Sequence, residues 1–540
     1  MLKKLKAILS LVLCLICVFL TACTEKSKDK APVGNAYTAQ SQVVVKLPQT
    51  SRLEKILDSN GKISVQYLDT VYASSIVKNY DNRVYIKYNG KPYFYNPVYI
   101  SYEQIINSRA IAENRKTAVL EESFAKAKEC GFTTVALYID WKNFYNGETY
   151  NFDFYKIYYK LAEKYDLNVS IIWNGYAKNG FMPWQIDREK YPVLTVKNKS
   201  NVPDLSQEIY INEAVDAITQ FCAWLNYIDY GHRTILIQLE DEANANYGKG
   251  TWLSQFANFS DLLLKMADAV KASPYNVVTT VGLNFEDYRT TIEGVTGRER
   301  LDKFLNYKNI DGLGAANLAT TDFNVGNFAN HDKFCYVSKL SPAIYNFFSS
   351  ALELLSQGYQ FGVYELKSFD LKVNCGMYRT HSTKWDFRNR QTLDSGILAK
   401  KRTLEAATPD VVDFIKGINN LGEILATANI LDIIILNPLT LNNYDTTLLF
   451  GNINLGFSNI SNPYFTYNSA LIAVIDPYSN YYFLTFHLTS LLTVYTDYKI
   501  MLSEGKVNNE IWNSEVQEII LEENNFVMKS GLVYRLRFEN

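Results

Sequence analysis

From about residue 97 the chain repeats one pattern: a helical stripe of apolar residues, a short stop, then an unbroken apolar run. Val119, Leu120, Phe124, Ala127 and Cys130 share one helical face, and Gly131 follows where a helix end favours a left-handed residue. Residues 133–140 (TTVALYID) then read as a strand, closed by Trp141. Phe154, Ile157, Tyr158, Leu161 and Tyr165 form the next stripe, and 167–173 (LNVSIIW) the next strand. Ile211, Val215, Ile218, Cys222 and Leu225 predict a helix leading into a strand at 234–239. Leu262, Met266 and Val270 precede a strand at 277–283, and a strand-like run follows at 310–318. Pro342 suits the first position of a helix running to about 356, Gly358 stops it, and 359–366 reads as strand.

Apolar strands alternating with helices imply an α/β protein with a parallel sheet covered on both faces. At least six such strands between 133 and 366, with an earlier candidate at Val98-Tyr99-Ile100, predict a closed (β/α)8 TIM barrel rather than an open doubly wound sheet. The eighth strand is expected between about 371 and 402, and a helix at about 404–424 should close the barrel. No G-x-G-x-x-G follows the early strands, which argues against a dinucleotide site. Ahead of the barrel, 84–88, the turn Asn89-Gly90 and 93–95 predict a hairpin. Beyond about 430, short strand-like pieces alternate with Asn, Gly and Pro turns, as in an antiparallel β domain.

The N-terminus follows a different logic. Lys3, Lys4 and Lys6 precede an apolar stretch from Ala7 to Leu20, which is short for a membrane span. Leu20-Thr21-Ala22-Cys23 then resembles the lipobox of bacterial lipoproteins, which implies lipidation at Cys23. The alternative is an uncleaved anchor helix, and both predict an exported protein tethered to the cell membrane. The expected organisation is a signal peptide at 1–22, a flexible tether at 23–49 and a strand-rich lead-in at 50–84. The barrel follows at 85–428, then a sandwich-like β domain at 429–540.

Composition adds exclusions. A net charge of −2 gives no electrostatic case for a nucleic-acid partner. His232, His331, His381 and His487 are scattered without metal-site spacing, so no metal or other cofactor is expected. Cys130, Cys222, Cys335 and Cys375 lack C-x-x-C spacing, although one disulfide is open to them. No G-x-S-x-G elbow supports Ser/His/Asp chemistry.

The candidate chemistry lies where apolar strands end in charge. The run 234–239 (TILIQL) ends in Glu240-Asp241-Glu242, and 361–364 (FGVY) runs into Glu365. Buried charge is costly, so carboxylates at strand ends suggest the C-terminal face of a barrel, where such folds place their sites. Glu242 and Glu365 lie about three βα units apart and can face one mouth. Glycosidic cleavage needs such a pair, one acid to protonate the leaving oxygen and one carboxylate to attack the anomeric centre. Glu240 is expected to support Arg233 or the barrel wall.

Four stretches resemble TIM-barrel glycoside hydrolases of clan A, most closely the β-galactosidase-type families 35 and 42. They are Gly90-Lys91-Pro92-Tyr93-Phe94; Gly131 to Trp141 with Gly147-Glu148-Thr149-Tyr150-Asn151-Phe152; Trp173-Asn174-Gly175 through Gly180; and Asp229 through Glu242. The resemblance implies a retaining β-glycosidase acting on an oligo- or polysaccharide, with Glu242 as acid/base and Glu365 as nucleophile. Two departures stand out. Asp241 occupies a position where the family has Asn, so it cannot donate while ionised, and its charge would raise the pKa of Glu242. The loop after the second strand also lacks the usual His-Glu.

Asp241, Asn179 and Tyr364 are the candidate polar contacts to sugar, and Trp141, Trp173 and Trp184 the candidate stacking platforms. Packing under loops is the other reading of each Trp, and Lys178 is a further candidate contact. A second class of function, a surface glycan-binding lipoprotein without turnover, is favoured by Asp241 and opposed by the surviving carboxylates.

Overall fold

The computed structural model describes residues 83–108, 111–175, 189–195, 202–241, 249–275, 277–284, 296–316, 332–340, 347–364 and 409–428, with shorter stretches between them, before 79 and after 432. Eight parallel strands close into a barrel: β1 (Pro97–Tyr99), β2 (Thr134–Asp140), β3 (Asn168–Asn174), β4 (Thr234–Leu239), β5 (Val278–Asn284), β6 (Gly312–Ala316), β7 (Phe334–Leu340) and β8 (Gln360–Val363). Each strand pairs with its chain neighbours, and Val363 opposite Val98 shuts the cylinder.

Around it lie α1 (Glu113–Glu129), α2 (Lys156–Lys164), α3 (Glu208–Ile228), α4 (Lys249–Ala272), α5 (Gly297–Leu305) and α6 (Phe347–Ser356). The helical stripes read from the sequence form their inner faces. Val119, Leu120, Phe124 and Ala127 of α1 are buried, and Gly131 turns the chain at φ 81°. Every residue of β4 is buried, as a strand covered on both sides requires.

One expectation needs correcting. The barrel closes without a strand at 371–402, because the run near 360 is itself the eighth strand and β7 is an additional one. β7 reads FCYVSKL, and all seven positions are buried. Its Ser338 and Lys339 hide the apolar signature, and a lysine is buried only when something neutralises it. Four strand-to-strand steps, not three, therefore separate β4 from β8.

The strands Ser74–Lys78, Val84–Tyr88 and Lys91–Tyr93 form an antiparallel sheet under the barrel. Asn89 and Gly90 turn its hairpin at φ 52° and 79°, the signs a tight two-residue turn needs. Ile76, Ile86 and Tyr95 pack against Ile235, Leu236, Val278, Phe334 and Tyr336, closing the N-terminal end. Ser74 Oγ donates to Ile235 O at 2.5 Å and accepts from Val278 N at 2.9 Å.

Among the described residues, two antiparallel sheets follow the barrel. Phe526 in one packs on Tyr534 in the other, with ring centroids 5.6 Å apart. Helix α7 (Pro409–Thr427) joins them to the barrel, since Phe414, Ile418 and Leu421 share one core with Phe483 and Val533. Gly417 permits that approach, because a Cβ there would lie 2.2 Å from Thr485 Oγ1.

Candidate active site

The C-terminal end of β4 is set by a side chain that spans the barrel interior. Gln238 Nε2 donates to Glu240 O at 2.9 Å, and Tyr336 of β7 donates its hydroxyl to Gln238 Oε1 at 2.7 Å. Thr280 of β5 shares that hydroxyl at 2.9 Å. Space for the glutamine comes from two glycines: a Cβ on Gly282 would lie 2.5 Å from its Nε2, and one on Gly314 would lie 2.3 Å from its Oε1. Glu240 itself sits at φ 62°, a left-handed conformation that costs a non-glycine residue roughly 1–3 kcal/mol. Its N–H donates to Trp173 O at 2.8 Å, so both of its backbone groups are held and the turn is fixed. That turn delivers Asp241.

Asp241 is fully buried. Its Oδ2 pairs with the ammonium of Lys339 and accepts the Tyr138 hydroxyl at 3.1 Å. Lys339 approaches along β7, with Nζ 5.3 Å from the Tyr138 ring centroid and 5.6 Å from that of Tyr364. Tyr99 stacks on Tyr364 at 5.1 Å and meets Tyr138 edge-on at 4.8 Å. Burial and the Asp241 carboxylate push the Tyr138 phenol well above its ordinary range, so it stays a donor. The ion pair gives the charge at position 241 a buried partner. Removing one partner of such a pair strands a buried charge, at a cost of about 3–5 kcal/mol.

A second polar cluster lies at the ends of β2 and β3. Asn174 donates its amide to Asp140, and both residues are buried. Burial, then the adjacent Glu103, push Asp140 up to about 7. Burial acts the same way on Glu103, but its bonds to Asp140 and Lys142 hold it below the usual range. Of the two carboxyls, Asp140 is therefore the one that holds its proton to higher pH.

Among the residues the sequence singled out, the structure brings Asp241 and Tyr364 together through Lys339. Trp141 and Trp173 belong elsewhere. Both are fully buried, so neither offers a platform to a sugar. Trp173 packs on Phe144 and Phe221 at 5.2 and 5.3 Å, and Trp141 on Phe144 and Tyr145 at 5.0 and 5.5 Å. The short helix Trp141–Phe144 belongs to the same aromatic core between the strand ends and α3. Glu242, Glu365, Asn179, Trp184, Lys178 and Cys23 lie outside the described residues.

Glu240 is not the partner of Arg233, which bonds Asp166 at 3.2 Å at the start of β4, the opposite end of the strand. Lys339, Tyr138, Tyr99, Glu103 and Asp140 were not singled out from the sequence. A lysine inside an apolar run and an aspartate closing TTVALYID were the available signals.

Among the described residues no three His, Cys, Asp or Glu side chains are grouped to hold a metal. Cys130, Cys222 and Cys335 are buried free thiols. A cavity of about 730 Å³ lies at the other end of the barrel, beside Tyr88, Lys91, Thr133, Asn168, Arg233 and Asn419. It is remote from the strand ends that carry the acids.

No family model matches the chain, and no curated protein matches it. Solved structures do. A family 39 glycoside hydrolase from Bacteroides cellulosilyticus is 12% identical, with a TM-score of 0.39 over 91% of this chain and 94% of that one. A GH30 endoxylanase from Clostridium papyrosolvens is 11% identical, with a TM-score of 0.40 over 77% and 92%. An endo-1,4-beta-mannanase from Rhizomucor miehei is 11% identical, with a TM-score of 0.38 over 53% and 89%. The barrel itself stands on its own strand order.

Proposed function

We propose that this protein is a glycoside hydrolase that cleaves β-glycosidic bonds with retention of configuration. One observation carries the reading. The residues preceding the two candidate carboxylates, Asp241 and Tyr364, converge on one lysine at the C-terminal end of a closed barrel. The chain on either side of Glu365 is also anchored to barrel strands. Tyr364 N donates to Leu340 O at 3.0 Å and Leu366 N to Tyr99 O at 2.9 Å.

In this reading Glu365 attacks the anomeric carbon while Glu242 protonates the leaving oxygen. Glu242 then takes a proton from the water that releases the sugar. The sequence resemblance to families 35 and 42 favours a β-galactoside-like substrate. The same reading makes 1–22 an export signal and Cys23 a lipid anchor, which tethers the protein to the cell membrane with the barrel facing an oligo- or polysaccharide.

A second reading, glycan binding without turnover, is favoured by Asp241. The resemblance has a neutral amide there, and this chain has a carboxylate occupied by Lys339. Turnover separates the two. The test is hydrolysis of a panel of aryl β-glycosides by the mature protein beside Glu365→Gln. Release of the aryl group that disappears in the variant supports the first reading. Sugar binding without release in either protein supports the second.

A further inference from the structure

We infer that Lys339 is a positioning residue of the candidate site, pairing with Asp241 and facing the ring of Tyr364, the residues that precede Glu242 and Glu365 in the chain. The inference rests on the glycosidase reading above.

Lys339 lies at the end of β7, 98 positions after Asp241 in the chain. It is nearly as buried as its partner, with side-chain exposures of 7% and 0%. Its ammonium pairs with one strand end and faces an aromatic ring at another. It pairs with Asp241, which precedes Glu242, and lies 5.6 Å from the ring of Tyr364, which precedes Glu365. Tyr138 ties the two contacts together, donating to Asp241 at 3.1 Å while its ring lies 5.3 Å from Nζ. Tyr99 completes the enclosure by stacking on Tyr364.

Three features make this more than packing. A lysine in a wholly buried strand is retained only at a desolvation cost, which its carboxylate partner offsets. The pair links β7 to β4, which are not neighbours in the barrel, so it fixes a distance across the mouth that no ladder of backbone hydrogen bonds fixes. Both ends of that link sit one peptide from a candidate catalytic residue. The separation of two carboxylates decides the course of glycoside cleavage, so a device that fixes their chain neighbours acts on the reaction. Asp241 and Lys339 then form a matched, neutral unit where the resembled families have one amide.

The test is a cycle of Lys339→Met, Asp241→Asn and the double variant, read by kcat, KM and thermal unfolding. Misplacing reacting groups by about 1 Å costs on the order of 100-fold in rate. Each single variant should therefore lose kcat on that scale, with KM within about twofold of the parent. The double variant buries no unpaired charge and should unfold close to the parent temperature. Its kcat loss should be no greater than that of the worse single variant, because both substitutions release the same link.

Wild-type kcat in Lys339→Met would overturn the inference and leave the glycosidase reading standing. So would losses in the two single variants that multiply in the double. Absence of turnover in the parent protein on every glycoside would remove the glycosidase reading and this inference together.

Discussion

Asp140 and Glu103 are hydrogen-bonded to each other at the rim of the barrel, where β2 ends. Asn174, one strand away, donates to Asp140, and burial with the neighbouring Glu103 pushes Asp140 up to about 7. A carboxyl raised on folding keeps its proton in the native state after the unfolded chain has released it. The native state then binds more protons between the ordinary aspartate range and pH 7, and stability falls as pH rises through that window. Asp140→Asn has no such proton and can still donate to Glu103. The variant should gain thermal stability relative to the parent from about pH 4 to about pH 7, then hold a constant margin. Parallel melting curves across that range measure it, and a difference independent of pH would mean that Asp140 is ionised in the fold.

Gly282 makes room for the turn at Glu240. A Cβ there would meet Glu240 O at 2.1 Å, a backbone atom that cannot swing aside. Gly282→Ala should destabilise the protein by about 1–3 kcal/mol, the usual range of overpacking. It should lower kcat more than that loss explains, because the displaced atom is one residue from Asp241. Urea unfolding beside steady-state kinetics separates the two effects.

Trp173 is a core residue in this fold, with no exposed surface. Trp173→Phe should cost less than the ~3–5 kcal/mol of complete truncation, and should leave affinity for sugars unchanged. Trp141→Phe should behave alike. Calorimetric titration with a bound glycan, set against the unfolding temperature, checks this. Weakened binding at unchanged stability would instead make either indole a sugar platform.

Helix α7 holds the C-terminal sheets through a contact that depends on Gly417. Alanine there improves helix propensity by about 1 kcal/mol, but its Cβ would fall 2.2 Å from Thr485 Oγ1. That hydroxyl is not free to move away, since it donates to Leu532 O at 2.9 Å. Gly417→Ala should loosen the sheets and speed proteolysis beyond residue 428. Adding Thr485→Ala should restore resistance, a coupling that limited trypsin digestion reads directly.

Much of the barrel is legible in the chain because its strands are aliphatic runs with helical stripes between them. Runs such as TVALYID and TILIQL have no other stable place than a sheet covered on both sides. The same physics marks the strand ends, since a charge following such a run must reach the rim or find a partner. That logic led to Asp241 and to the chain segment around Glu365. The hairpin at Asn89-Gly90 was equally plain, because few residue pairs accept two left-handed conformations in succession.

β7 was not legible, and its residues show why. Lys339 makes FCYVSKL look too polar for a core strand, and its pairing with Asp241, on another strand, offsets the cost of burial. Periodicity reports what one segment buries and carries no information about a partner 98 positions away. Trp141 and Trp173 illustrate the converse. Their place after strands suggested an exposed face, yet Phe144, Phe221 and Tyr145 enclose them. Local sequence therefore determined the elements and the strand ends at which acids gather, because both follow from burial within single segments. Tertiary structure alone decided which charges neutralise each other, which rings are sealed in the core and how many strands close the barrel, because each depends on groups brought together across the fold.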